Sequence, residues 1–200
     1  DSDGLLTGLK MEMQVDNGAY HSNGNVIVHR ALLMLSGSYN IPNVKVTSCL
    51  AYTNNPFGSA ARGAGPPQAH FALECVMDML AEKLSMDPLL FRKRNSLEPG
   101  QSKNTGQIVE QWPFPELCDA ILPHYERSRR EKPKNQQGPL RRGVGLGAGA
   151  FGIGSPGDSA VAAVELDNDG GVTVYAAVAD PRARNDSMPT QLTAQTMQSP

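Results

Sequence analysis

The stretch of this chain best suited to chemistry is a turn of small residues. It carries one arginine and leads into a helix. It runs Ala60-Ala61-Arg62-Gly63-Ala64-Gly65-Pro66-Pro67-Gln68. Gly63 and Gly65 permit positive φ and close backbone approach, and a proline suits the first turn of a helix. With a guanidinium and the N–H groups of a helix start beside it, such a turn favours an anionic ligand. The same residues also suit an ordinary loop-to-helix junction.

A second candidate is the glycine-rich run in which Gly147, Gly149 and Gly152 have the spacing of a dinucleotide-binding fingerprint. A Rossmann loop needs a helix that opens immediately after it. Here Gly154-Ser-Pro-Gly157 follows, and then a strand pattern. The alternating small residues instead predict a strand that passes close to another backbone.

The histidines and cysteines show no recognisable metal site or nucleophile. No metal-ligand spacing relates His21, His29, His70 and His124. No CxxC joins the three cysteines, which are Cys49, Cys75 and Cys118, so we expect reduced thiols. Cys75 is expected in the core, on the apolar face of a helix. No metal-binding residue is therefore predicted.

The elements that must position the arginine follow from the spacing of apolar residues. Strict alternation over residues 8–16 predicts a strand, as does the pattern at 44–52, and helical spacing at 26–35 predicts a short helix that carries Arg30. A helix is predicted from about 67 to 84, after the arginine turn. Its apolar face is expected to hold Leu73, Val76, Leu80 and Leu84, flanked by Ala72, Cys75 and Met79.

Beyond the second predicted strand and the long helix, a linker separates two regions with regular apolar patterns. Asp87-Pro88 predicts the start of another helix, and residues 117–125 are also helical in pattern. Residues 126–142 are dense in Arg, Lys, Pro, Gln and Gly, which is typical of an exposed linker. Beyond it, strands are predicted at 144–151, 159–166 and 172–179, with a hairpin turn at 167–171 and a helix at 191–197.

Composition excludes some classes of partner. The 200 residues carry a formal net charge of −2, so no basic field favours nucleic acid or an anionic membrane. No apolar run has membrane-spanning length, and the start shows no secretory signal pattern. A cytoplasmic location is expected. The chain opens and stops in mid-pattern, so we interpret it as a piece of a longer protein.

Motifs spread along nearly the whole chain share one family resemblance. Four stretches carry it upstream of the linker. They are Gly8–Tyr20, which ends in D-x-G-A-Y, Tyr39–Asn43 as Y-x-I-P-N, Ser59–Ala69, which is similar to an FRGxGxPQ segment with Ala61 in place of the Phe, and the helical pair at 69–84 and 87–95. Downstream, Gly143–Gly152 and Ala163–Leu166 continue it. The pattern resembles the molybdenum-binding large subunit of the xanthine dehydrogenase and aldehyde oxidoreductase family.

The resemblance implies a mixed α+β fold, with part of a first molybdopterin-binding domain at 1–125, the linker at 126–142, and the start of a second such domain at 143–200. It implies oxidative hydroxylation of an aldehyde or N-heterocycle, with oxygen taken from water. Molybdopterin would be the cofactor, and electrons would leave through 2Fe-2S centres to FAD on other domains or subunits. A homo- or hetero-oligomer is expected.

Site residues are also implied by the resemblance. Arg30 matches an arginine that projects into the substrate pocket, and Ala61, Arg62, Gly63 and Ala64 match the loop that lies against molybdopterin. The family often carries Phe or Tyr at the place of Ala64, so a wider pocket is implied. The expected general base has no matching motif here, and the isolated fragment is expected to be inactive.

One departure from the family supports a rival interpretation. Arg182-Ala183-Arg184 stands where the family usually has a Gly-Gln-Gly turn that contacts the pterin. The chain could therefore belong to a non-catalytic paralogue or an assembly subunit that has lost the cofactor. The intact Arg62 turn opposes that alternative, and Arg30 could equally be an ordinary helix-surface arginine.

Overall fold

The computed structural model describes residues 1–61, 63–131, 139, 142–151 and 161–176 of the chain. The chain divides into two compact units, residues 1–152 and 153–200. The first unit contains two strands and four helices among its described residues, and the second contains one strand pair. Helices and strands are mixed along the chain, as the sequence predicted.

The first unit begins with a strand–helix–strand arrangement. β1 (Leu9–Gly18) and β2 (Val44–Tyr52) pair in parallel, and α1 (Gly24–Leu33) connects them. Parallel neighbours require a crossover of this kind. Alternate side chains of β1 are half-buried and exposed, and Leu9 and Met13 pack against buried residues of α1 and α2. The predicted strands at 8–16 and 44–52 and the helix at 26–35 are thus confirmed.

Three further helices complete the first unit. They are α2 (Pro66–Lys83), α3 (Pro88–Arg94) and α4 (Phe114–Glu131). Asp87 caps α3, because its Oδ1 accepts the N–H groups of Leu89 at 2.9 Å and Leu90 at 3.2 Å. The helices predicted after the arginine turn and after Asp87 are confirmed.

The face that α2 buries differs from the predicted one. Its buried apolar residues recur every four positions, as Ala69, Leu73, Met77 and Ala81. Val76 and Met79 are exposed, and Cys75 is exposed as well, so its predicted place in the core is wrong. Cys118 of α4 is the buried thiol among the three. Leu73, Met77 and Ala81 belong to one core cluster, and Ala69 belongs to a second one.

The structure around the predicted linker at 126–142 differs from the prediction on both sides. Helix α4 continues through Glu131, so residues 126–131 are helical. Residues 142–151 fall in the first unit and form no strand, although 144–151 was predicted as one. We call residues 142–151 the irregular segment. The assignment of 1–125 and 143–200 to two domains of a longer protein stays a prediction.

The second unit contains a β-hairpin in its described part. β3 (Ala162–Leu166) and β4 (Val172–Ala176) pair antiparallel, and the Asp167 N–H donates to the Gly171 carbonyl at 2.8 Å across the turn. This agrees with the predicted strands and turn. The helix predicted at 191–197 and the Arg182–Arg184 stretch lie outside the described residues. Among the described helices, none has the length and apolar character needed to cross a bilayer.

Candidate functional site

The arginine turn, residues 61–65, has an unusual backbone. Gly63, Ala64 and Gly65 have φ of +102°, +40° and +109°, and the Ala64 N–H closes the turn on the Ala61 carbonyl at 2.9 Å. Positive φ is easy for glycine and strained for alanine. Arg62 lies outside the described residues. Glycines on both sides of Ala64 are therefore what allows the chain to curl here.

The turn packs directly against α1, the helix that carries Arg30. A Cβ built on Gly65 would lie 2.1 Å from the Ile27 carbonyl oxygen and 3.0 Å from the Ala31 nitrogen. A side chain at position 65 would therefore separate the turn from α1. Two of the sequence-predicted site regions, the arginine turn and the Arg30 helix, thus meet through a contact that only glycine allows.

The start of α2 offers fewer hydrogen-bond donors than the sequence suggested. Gly65 is the N-cap, and the first two helical residues, Pro66 and Pro67, have no N–H. The N–H groups of Gln68 and Ala69 already donate to the Gly65 carbonyl, at 3.1 and 3.4 Å. An anion at this end must consequently be held by the peptides of the turn and by the arginine side chain rather than by the helix.

Arg30 faces the aromatic ring that ends the irregular segment. Its Cζ atom lies 5.7 Å from the centroid of the Phe151 ring, within the range of a cation–π contact. Arg30 is half-buried, and Phe151 is 51% exposed. The guanidinium thus has a fixed neighbour on one side.

A cavity of about 570 Å³ opens between α2 and the irregular segment. That volume suits a small molecule. Its walls include the α2 residues Pro67, His70 and Phe71 and the segment residues Leu146 and Phe151. His70 Nε2 lies 2.7 Å from the Met34 carbonyl oxygen, so Nε2 must carry the donated proton, and Nδ1 is left on the side of Gly149.

Glu74 and Arg92 form a buried network that sequence reasoning missed. Tyr39 Oη donates to Glu74 Oε1 at 2.5 Å, and Arg92 Nε donates to Glu74 Oε2 at 2.8 Å. Arg92 is 2% exposed and also pairs with Asp78 at 2.7 Å. Burial, reinforced by the negative charge of Glu74, raises the pKa of Tyr39 well above its ordinary value near 10. Little in the sequence signalled it, because Glu74 is one of three carboxylates on α2, together with Asp78 and Glu82.

The same network holds the irregular segment. The Ala148 N–H donates to Glu74 Oε2 at 2.9 Å, and Arg92 Nη2 donates to the Leu146 carbonyl at 3.4 Å. The predicted reason for the glycines is wrong here, because a Cβ on Gly145 or Gly147 would meet nothing within 4 Å. No helix follows Gly149 within the described part of the segment, and Gly152 lies outside it.

Comparison with known proteins identifies relatives of the chain. Residues 1–96 match the molybdopterin cofactor-binding domain family. The chain is 39% identical over 179 residues to an aldehyde oxidoreductase of Megalodesulfovibrio gigas, which covers 89% of this chain and 20% of that protein. It is 30% identical over 204 residues to the xanthine dehydrogenase molybdenum-binding subunit of Escherichia coli O157:H7, covering 98% of this chain and 27% of that protein.

Solved structures give the same answer for the fold. The aldehyde oxidoreductase from Desulfovibrio desulfuricans superimposes with a TM-score of 0.80 and 35% identity, over 87% of this chain and 19% of that one. The chain thus spans about a quarter or less of the length of such relatives. The predicted resemblance and the mixed fold class are confirmed. The chain belongs to the molybdenum-binding subunit family of the xanthine dehydrogenases and aldehyde oxidoreductases.

Proposed function

We propose that this chain supplies a cofactor-side turn and a substrate-side arginine to an enzyme that oxidatively hydroxylates an aldehyde or N-heterocycle with oxygen from water. One observation carries the proposal. Gly65 of the arginine turn touches the α1 backbone at Ile27 and Ala31, the helical turn that bears Arg30. A group held by the turn and a molecule that contacts Arg30 would therefore be neighbours.

The residues of the turn fit a bulky polar cofactor. Ala61 is exposed and Gly63 and Ala64 are half-buried, and none carries more than a methyl group, so the backbone of the turn is open to approach except where the Ala64 N–H and the Ala61 carbonyl already pair. These three residues would hold molybdopterin through the backbone, and Arg62 would hold it by charge. When bound, the molybdenum cofactor supplies the oxidation chemistry, and the protein supplies position and hydrogen bonds.

Arg30 has the chemistry expected of a substrate-side group. Its guanidinium presents several hydrogen-bond donors, which suits an oxygen or ring nitrogen that gains negative charge as the substrate reacts. Phe151, the ring that Arg30 meets, also lines a cavity with mainly apolar walls, and charge stabilisation is stronger in apolar surroundings than in water. The names of two relatives, an aldehyde oxidoreductase and a xanthine dehydrogenase subunit, fit this substrate range.

Other parts of the proposal concern the longer protein. Iron–sulfur and flavin domains or subunits would accept the electrons, in a homo- or hetero-oligomer located in the cytoplasm. Because several loops must hold the cofactor, the 200 residues expressed alone should bind no molybdenum and oxidise nothing. Metal analysis of the purified fragment checks this expectation, and stoichiometric molybdenum in it would contradict the proposal.

The roles of the two arginines are tested in the full-length enzyme. Arg30→Ala should lower turnover by on the order of 10²-fold while molybdenum content stays near the wild-type level. Arg62→Ala should instead lower molybdopterin content. Arg94→Ala is the matched control, because Arg94 is an exposed arginine of α3. Wild-type kinetics in Arg30→Ala would remove Arg30 from the site.

A second candidate is a non-catalytic paralogue or assembly subunit, which the Arg182-Ala183-Arg184 stretch favours. Bulky cations in place of a Gly-Gln-Gly turn lose both the conformational freedom of glycine and the carboxamide. Full-length protein without molybdopterin would support this candidate. Restoring the turn with Arg182→Gly, Ala183→Gln and Arg184→Gly should then raise cofactor occupancy, whereas near-stoichiometric molybdopterin in the unmodified protein would exclude it.

A further inference from the structure

The irregular segment is held by side-chain charge rather than by a sheet. Its residues form no strand, and its backbone is bonded through the Ala148 N–H to Glu74 and through the Leu146 carbonyl to Arg92. Ala148 also packs against the core cluster that contains Tyr39 and Phe91. The middle of the segment is therefore anchored to the two charged residues of the network.

The Glu74 carboxylate is itself held rigidly. Three donors converge on it, from Tyr39, Arg92 and Ala148, at 2.5 to 2.9 Å. Hydrogen bonds to a charged acceptor are stronger than neutral ones, and this carboxylate side chain is only 12% exposed. An anchor of this kind leaves Ala148 little freedom.

Phe151 ends the described part of the segment and meets Arg30. Three residues of chain span at most about 10 Å, so the place of Ala148 limits where the Phe151 ring can lie. The ring centroid is 5.7 Å from Arg30 Cζ. Arg92 and Glu74 are thus connected to Arg30 by the bond to Ala148, the short stretch of chain from Ala148 to Phe151, and the contact of the Phe151 ring with the guanidinium.

We infer that Glu74 is a positioning residue for Arg30. Its carboxylate anchors Ala148, which places the Phe151 ring against the guanidinium and restricts the direction in which Arg30 points. This inference rests on the proposed substrate-side role of Arg30. In this scheme Glu74 acts on Arg30 through Ala148 and Phe151.

A double-mutant cycle in the full-length holoenzyme tests the inference. Phe151→Leu removes the ring and keeps an apolar side chain, and we expect kcat to fall roughly 3- to 10-fold, the size of a lost cation–π contact. Glu74→Gln should lower kcat by a similar factor at unchanged molybdenum content. The double variant should be no more than about 2-fold worse than either single one, because both act on the same contact.

A purely structural role for Glu74 gives different results. The reductions in kcat of the two single variants would then multiply in the double variant. The reduction in Glu74→Gln would also be accompanied by a lower thermal midpoint of unfolding. Phe151→Trp retains a ring and should keep at least half of the wild-type kcat. Asp119→Asn, which removes an exposed carboxylate paired with Lys93, is the control and should leave kcat unchanged.

Two outcomes separate this inference from the proposed function. If Arg30→Ala loses activity while Phe151→Leu and Glu74→Gln match the wild type, the positioning role is overturned and the proposed function stands. If Arg30→Ala is fully active, the proposed role of Arg30 is wrong, and the inference that rests on it is overturned as well. Should Glu74→Gln not fold, Glu74→Asp keeps the charge that Arg92 needs but shortens the reach to Ala148. The same fall in kcat and the same non-additivity with Phe151→Leu are then expected, and multiplicative effects would overturn the inference.

Discussion

The arginine turn and the irregular segment both lie against the N-terminal half of α2, yet they are held there by opposite means. The turn touches α1 because Gly65 has no side chain, so an added atom would displace it. The segment touches α2 because Glu74 and Arg92 carry charges, so a lost charge would release it. The turn is thus displaced when side-chain volume is added at Gly65, and the irregular segment is released when the charge of Glu74 or Arg92 is removed.

The largest effect is expected where a buried charge loses its partner. Arg92→Met leaves the Glu74 carboxylate without its counter-ion, and breaking such a pair costs about 4 kcal/mol of unfolding free energy. Denaturant titration measures it. Lys93→Met is the matched control, because Lys93 is the next residue of α3 and its ion pair with Asp119 is partly exposed, which is worth less than about 1 kcal/mol. Equal losses in the two variants would contradict a special role for the buried network.

Added volume at the turn is expected to cost somewhat less. Gly65→Ala would bring a Cβ within 2.1 Å of the Ile27 carbonyl oxygen at a φ of +109°, so we expect destabilisation by about 3 kcal/mol. Gly145→Ala is the control in the irregular segment, where a Cβ meets nothing within 4 Å, and it should change stability by less than about 0.5 kcal/mol. Equal thermal midpoints for the two variants would show that the turn does not depend on this contact.

The arginine turn could be predicted from local sequence patterns, whereas the way in which the irregular segment is held could not. The alternation from Leu9 to Val15 and the Asp87 cap act over a few residues, so the strand and the helix start followed from the sequence. The bond between Glu74 and Ala148 joins residues 74 positions apart, and no local pattern announces it. The buried face of α2 was missed in part, since it follows Ala69, Leu73, Met77 and Ala81 and leaves Val76 and Met79 exposed. The family motif did lead to the turn and to Arg30, but not to Phe151, which becomes relevant only through its position in space.

Alkaline pH should weaken the network around Glu74. The pKa of Tyr39 is raised in the folded state, so its contribution to stability is complete below about pH 10 and is lost as pH rises toward the folded-state value. In that interval the unfolded chain releases a proton that the folded chain keeps, and the unfolding free energy falls by up to about 1.4 kcal/mol per pH unit. Tyr39→Phe should show a shallower slope in urea titrations from pH 9 to 11. Tyr20→Phe, at an exposed tyrosine, should keep the wild-type slope, and parallel slopes for all three proteins would contradict the prediction.

The smallest expected effect concerns strain in the turn. Ala64 has a φ of +40°, where an L-residue with a Cβ is disfavoured, so Ala64→Gly should relieve strain and stabilise the folded chain by about 0.5 kcal/mol after the entropy of glycine is subtracted. Ala60→Gly, just outside the turn at a residue without positive φ, should destabilise slightly. Thermal midpoints of the two variants give the comparison, and a loss in both would show that Ala64 carries no strain.

Helix α2 connects the arginine turn and the irregular segment. Gly65 caps its first turn and Glu74 lies nine residues along, which corresponds to about 13 Å of helical rise. Inserting one residue between them would rotate Glu74 by about 100° around the axis and point its carboxylate away from Ala148. The same insertion after Glu74 would leave both contacts in register. The part of α2 between Gly65 and Glu74 is therefore expected to tolerate substitutions far better than insertions or deletions. Its length fixes the distance between the turn and the irregular segment.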